Sequence, residues 1–167
     1  MTKELSVFII WSNGQYLTEP ILADLKQNLK IIKIFEYVWK KEEFVFHLMQ
    51  FYHKNFFRSL KKKKECGTGH FLVIVAEDEI PKYQDGINVH IMKLKYKYRH
   101  WCHGGYLIHA SDNQDECKAN LTYLFGVSGA EFLQKFEDEG SDNPIIYHQK
   151  LRPESRWMKY FSRLWHF

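Results

Sequence analysis

The chain is poor in the features that mark several common protein classes. Its three cysteines, Cys66, Cys102 and Cys117, are an odd number and form no Cys-x-x-Cys pair. That excludes a disulfide framework and points to reduced thiols in a cytoplasmic setting. No apolar run approaches the ~20 residues that a bilayer span requires. Only four apolar residues, Val7 to Ile10, separate the polar start from Trp11, so no secretory leader is expected. His100, His103 and His109 lie near a single cysteine, Cys102, in a spacing that fits no standard zinc pattern. Gly67-Thr68-Gly69 lacks the Lys-Ser/Thr of a phosphate-binding P-loop and reads as a turn before a strand. The formal charge is only +4 and the pI about 8.8. This is too weak for the basic stripe of a specific nucleic-acid binder, though it suits an anionic ligand such as a nucleotide. Internal repeats and low-complexity tracts are also missing.

What the chain has in excess is aromatic side chains, 17% of its 167 residues. With 45% hydrophobic residues it can bury a core without metals or cross-links. Ser6–Trp11 (SVFIIW), Lys30–Trp39 (KIIKIFEYVW) and Phe71–Ala76 (FLVIVA) read as strands. Ser12-Asn13-Gly14 reads as a turn. Thr18 is the expected cap of a helix with Pro20 in its first turn and Ile21, Leu22, Leu25 and Leu29 on one face. Residues 40–51 are helical by spacing, and Phe56, Phe57 and Leu60 continue that texture. Ile87–Tyr98 suits a helix or a strand. Tyr106–Ile108 reads as a fourth strand that stops at His109, and Ser111 with Gln114 as the capping box of the next helix, which Gly126 ends. The basic run Lys61–Lys64 reads as a solvated helix end.

At His109 an expected buried strand meets the N-terminus of a capped helix. Free backbone N–H groups and the positive end of the helix dipole attract phosphate there, and a neutral imidazole is a competent nucleophile toward phosphorus. On the local sequence alone, a histidine that merely ends a strand and satisfies a hydrogen bond is the better account.

The order of motifs resembles that of the nucleoside diphosphate kinases. Ile108-His109-Ala110-Ser111-Asp112, followed by a helix carrying Leu121 to Phe125, is similar to their signature of asparagine, two residues, histidine, glycine, serine and aspartate. Phe8-Ile9-Ile10 with Asn13-Gly14 resembles their first strand and turn, and Tyr52 with Phe56-Phe57 and Leu60 resembles a helix of theirs. The likeness spans residues 6–136. It implies an α+β fold, a ferredoxin-like split βαβ sandwich whose antiparallel sheet carries helices on one face, over residues 1–140. Residues 141–167 are then a linker and a basic aromatic C-terminal extension. Trp157, Tyr160 and Phe161 would line one face of an amphipathic helix in it, a surface for a protein partner, a membrane surface or the domain itself.

The resemblance also implies a chemistry. A nucleoside triphosphate would phosphorylate His109, with magnesium neutralising the donor, and an acceptor would then take the phosphoryl group. Ser111 would fix local geometry, Tyr52 and Arg99 would hold phosphates with Lys93 and Lys95 behind them, and Asp112 would help to position the metal ion. Three departures stand against this pattern. Trp11 replaces a phosphate-contacting lysine, Tyr106 replaces the asparagine, and Asn120 replaces the glutamate that orients the histidine. Most of the long loop that covers the base and joins subunits is missing between Asn88 and Gly104, which leaves a homodimer more plausible than the usual hexamer. The competing expectation is a catalytically inactive kinase-like module that binds a nucleotide or a protein.

Overall fold

Strand β3 (Phe71–Asp78) is buried at every residue, which the topology explains. In this computed structural model, which describes residues 3–136 and 145–148, β3 is the central strand of five. Strands β1 (Glu4–Ile10) and β2 (Lys30–Val38) flank it, both antiparallel. β6 (Ile108–Ala110) pairs antiparallel with the outer side of β1, and β7 (Ile145–His148) pairs parallel with β2, giving the order β6-β1-β3-β2-β7. A short hairpin, β4 (Tyr83–Gln84) and β5 (Ile87–Asn88), turns through Asp85 and Gly86, both at positive φ as a tight primed turn requires.

The helices are α1 (Thr18–Asn28), α2 (Phe44–Tyr52), α3 (Phe56–Cys66), α4 (Val89–Trp101), α5 (Gln114–Phe125) and α6 (Gly129–Phe136), with a 3-10 turn at Ser12–Leu17. Because side chains alternate along a strand, β1 feeds two cores. Val7 and Ile9, with the following Trp11, pack beneath α2, α5 and α6, against Phe44, Leu121 and Phe132. Phe8 and Ile10 pack beneath α1 and α4, against Ile21, Leu25 and Ile91. Helices therefore cover both faces of the sheet. The α+β class and the antiparallel core are as expected, but the one-sided arrangement is not.

Local readings also shift. The segment that suited helix or strand equally is α4, capped by Asn88, whose side chain accepts from His90 N and Ile91 N. Thr18 lies inside α1 and makes no side-chain cap. The cap of α5 is Asn113, accepting from Glu116 N, rather than Ser111. Gly126 ends that helix in the left-handed conformation expected of it. His109 does not end its strand but sits in the middle of β6. β7 takes the sheet past the boundary drawn at residue 140, and the expected C-terminal amphipathic helix lies outside the described residues.

Candidate active site

β6 is an edge strand, and its outer edge is closed by one helix. Leu107 O and Ser111 N bond inward to Trp11 N and Val7 O, which leaves the carbonyls of Ile108 and Ala110 pointing outward. Arg99 Nε donates to Ile108 O at 3.0 Å and Lys95 Nζ to Ala110 O at 3.3 Å. One turn apart on α4, these two side chains fasten the helix to the strand and bring two cations beside His109.

His109 pairs across the strands with Ile9 and so shares its face. His109 is 4% exposed, and its ring stands edge-on to Phe51 and Tyr52 at centroid distances of 5.2 and 5.4 Å. Asn120 Nδ2 lies 2.9 Å from His109 Nε2, and Glu116 Oε1 lies 4.0 Å from the same nitrogen. Burial, reinforced by the charges of Lys95, Lys62 and Arg99, holds the imidazole well below its usual pKa, so the ring is neutral at pH 7.

The ring lines a cleft of about 500 Å³. One wall is α4, through Lys95, Tyr96 and Arg99, and the opposite wall is α3, through Arg58, Lys61 and Lys62. Lys62 Nζ sits 4.6 Å above the Tyr52 ring and 4.9 Å from that of Tyr106. Burial pulls its pKa down, as expected of an ammonium held among rings and near Arg99. Asp112 and Glu116 supply the negative groups near His109. Asp112 is paired with Lys95, and burial first, then the Asp112 charge, raises the Glu116 pKa. A wider hollow of about 870 Å³ adjoins the cleft across Tyr96, Arg99 and Tyr106.

Of the residues singled out in the sequence, His109, Tyr52, Lys95, Arg99 and Asp112 line this cleft, and Asn120 reaches it by its contact with the ring. Lys93 does not. It is exposed, and with α4 helical it points away from Lys95, as does Lys97, which bonds Asp24 Oδ1 at 2.6 Å. Ser111 is buried and accepts from Val7 N at 3.0 Å, continuing the pairing of β6 to β1. The cations of α3 were passed over as a solvated run. The signal was present, because Arg58, Lys61, Lys62 and Glu65 recur at helical spacing on one face.

Trp11 occupies the lysine position of the resemblance and makes it apolar. It is wholly buried among Phe71 at 4.7 Å, Trp39 at 5.7 Å and Phe44 at 6.2 Å. Its Nε1 and the Tyr52 hydroxyl are buried outside hydrogen-bond geometry with any described group, although the indole is near enough to moderate the rise that burial causes in the tyrosine pKa. Among the described residues, no three His, Cys, Asp or Glu side chains converge to hold a metal ion, and no helix is long and apolar enough to cross a membrane.

No known protein-family profile matches the chain, and no curated protein does. Solved structures do. The nucleoside diphosphate kinase of Aquifex aeolicus superposes with a TM-score of 0.53 at 17% identity, over 78% of this chain and 99% of that one. The nucleoside diphosphate kinase of Encephalitozoon cuniculi gives 0.49 at 14% identity, over 74% and 90%. The fold assignment rests on the first of these and agrees with the order of motifs in the sequence. The chain has the fold of a nucleoside diphosphate kinase, at 17% sequence identity to the first of these structures.

Proposed function

We propose that the protein is a nucleotide-dependent phosphotransferase that works through a phosphohistidine at His109, with a substrate different from that of nucleoside diphosphate kinases. One observation carries the reading. A neutral imidazole lines a cleft whose two walls present Arg58, Lys61, Lys62, Lys95 and Arg99. A nucleophile free of its proton, surrounded by cations, is what attack on a polyanionic phosphate requires.

With the Asn120 amide turned so that its oxygen accepts from Nε2–H, Nδ1 would be free to attack the terminal phosphorus while the bond to the leaving nucleoside diphosphate breaks. Lys62 and Arg99, which line the cleft, would bind the phosphate oxygens, while the buried Tyr52 hydroxyl is out of their reach and its ring packs against His109. Asp112 is paired with Lys95 through Oδ1, and its other carboxylate oxygen would hold a magnesium ion brought in with the donor. A single carboxylate is enough for an ion that takes its remaining ligands from phosphates and water. That ion would neutralise charge on the donor.

Incubation with γ-labelled ATP or GTP tests the proposal. The expected result is an acid-labile label on the wild type that is absent from His109→Gln, and a folded wild type that takes no label would end it. A second reading also has an observation behind it: the His109 side chain is only 6% exposed. On that reading the cleft binds a nucleotide or a protein partner without turnover. A nucleotide-induced rise in Tm with no label on either variant would favour it.

A further inference from the structure

We infer that Glu116 is the positioning residue for His109, supplying from one turn earlier on α5 the negative charge that Asn120 cannot. The inference rests on the reading of His109 as a phosphoryl acceptor. When Nδ1 attacks phosphorus, the ring becomes positive, and its surroundings oppose that. It is buried, and Lys95, Lys62 and Arg99 all face it. A counter-charge is needed at the opposite nitrogen, Nε2. Asn120 offers only a neutral amide there, and with Nδ2 turned to the ring it donates, which puts the ring proton on Nδ1 and blocks the nucleophile. Turned over, the amide oxygen accepts from Nε2–H but carries no full charge.

Two carboxylates are near. Asp112 is engaged by Lys95. Glu116 is divided between two tasks, with Oε2 accepting from Asp112 N at 2.6 Å and Oε1 facing His109 Nε2 at 4.0 Å. Closing about 1 Å of that gap brings Nε2–H to hydrogen-bond distance and needs only a turn of the terminal torsions. Glu116 and Asn120 are one turn apart on α5, so both address the same nitrogen from one face.

The balance is as follows. The Nδ1 lone pair forms the N–P bond and the P–O bond to the nucleoside diphosphate breaks with its electrons on oxygen, while Nε2 keeps its proton and donates it in a hydrogen bond to the Glu116 carboxylate. When a deprotonated acceptor oxygen takes the phosphoryl group, the N–P electrons return to Nδ1.

The test uses the full chain as wild type, Glu116→Gln, Asn120→Glu and the double variant. Phosphohistidine formation from labelled ATP is timed, and the His109 tautomer is read by nitrogen-15 NMR, assigned against His109→Gln. Gln is isosteric and keeps an oxygen for Asp112 N, so Glu116→Gln is expected to fold. Labelling slows at least ~10-fold, as expected for loss of a charge ~4 Å away, the tautomer moves toward Nδ1–H, and adding Asn120→Glu restores both. Labelling and tautomer unchanged in Glu116→Gln would overturn the inference. If the wild type takes no label, the tautomer alone decides. A shift in Glu116→Gln then upholds Glu116 as the orienting group while the phosphotransferase reading fails, and no shift removes both.

Discussion

Trp11 changes what the site can become. A lysine at that position would bring an ammonium into a cage of Phe71, Trp39 and Phe44 with no carboxylate among its ring contacts. Trp11→Lys is therefore expected to unfold the protein rather than restore a phosphate contact. Trp11→Ala should cost ~3–5 kcal/mol in urea unfolding through the cavity it leaves. His47 shows a second buried group at work. Its ring stacks on Trp39 at 4.5 Å, its Nδ1 meets the Tyr123 hydroxyl at 2.8 Å, and its Nε2 lies 3.9 Å from Glu43. Burial pushes its pKa down to about 4. The unfolded chain binds that proton near pH 6.5, so the stability due to the neutral ring is intact above that pH and drains away as pH falls toward 4. The loss reaches ~3 kcal/mol, and His109 adds to it in the same direction. Unfolding midpoints between pH 7 and 4.5 should fall steeply in the wild type and more gently in His47→Gln.

At the scale of single elements, α4 sorts its basic residues by the helical repeat. Lys95 and Arg99 should be needed for tripolyphosphate binding, and replacing both with Ala should abolish the ligand-induced rise in Tm. Replacing Lys93 and Lys97 should leave it. Equal loss from both pairs would mean that general surface charge, not the cleft, attracts the anion. The caps make a similar contrast. Asn113→Ala should cost ~1 kcal/mol by freeing Glu116 N, whereas Ser111→Ala acts through the strand by leaving Val7 N without its side-chain partner.

These elements also explain what the sequence could reveal. β1 and β3 were legible because strands buried on both faces must be apolar almost throughout, and β2 because its β-branched and aromatic residues mark a strand between the charges. α4 was ambiguous because Lys93, Lys95, Lys97 and Arg99 satisfy alternate spacing as well as a helix, and only the helix separates Lys93 and Lys97 from Lys95 and Arg99. β6 is three residues long, too short for periodicity to fix its ends, which is why His109 seemed to terminate it. The site was half legible. His109, Tyr52 and Arg99 could be named from motif order, but the α3 wall and Glu116 come together only through folding, since nothing local ties residue 62 to residue 109.

For the molecule as a whole, the outer sides of β6 and β2 are covered by different means. The β6 edge is covered by side chains of α4, and the β2 edge by pairing with β7. Truncation after residue 140 should uncover β2 from Phe35 to Val38, lower the Tm, and produce self-association visible by light scattering as exposed strands pair. A truncated chain that stays monomeric with an unchanged Tm would show that β7 contributes little.

The two walls of the cleft are also held unequally. α4 is tied to β6 by Lys95 and Arg99 and by the six-residue link 102–107, whereas α3 buries only Ser59 and Cys66. One side is an anvil and the other a jaw. The less deeply seated α3 is therefore the wall expected to set residence time in the cleft, and anchoring it should slow the release of a bound molecule without altering any group that touches it.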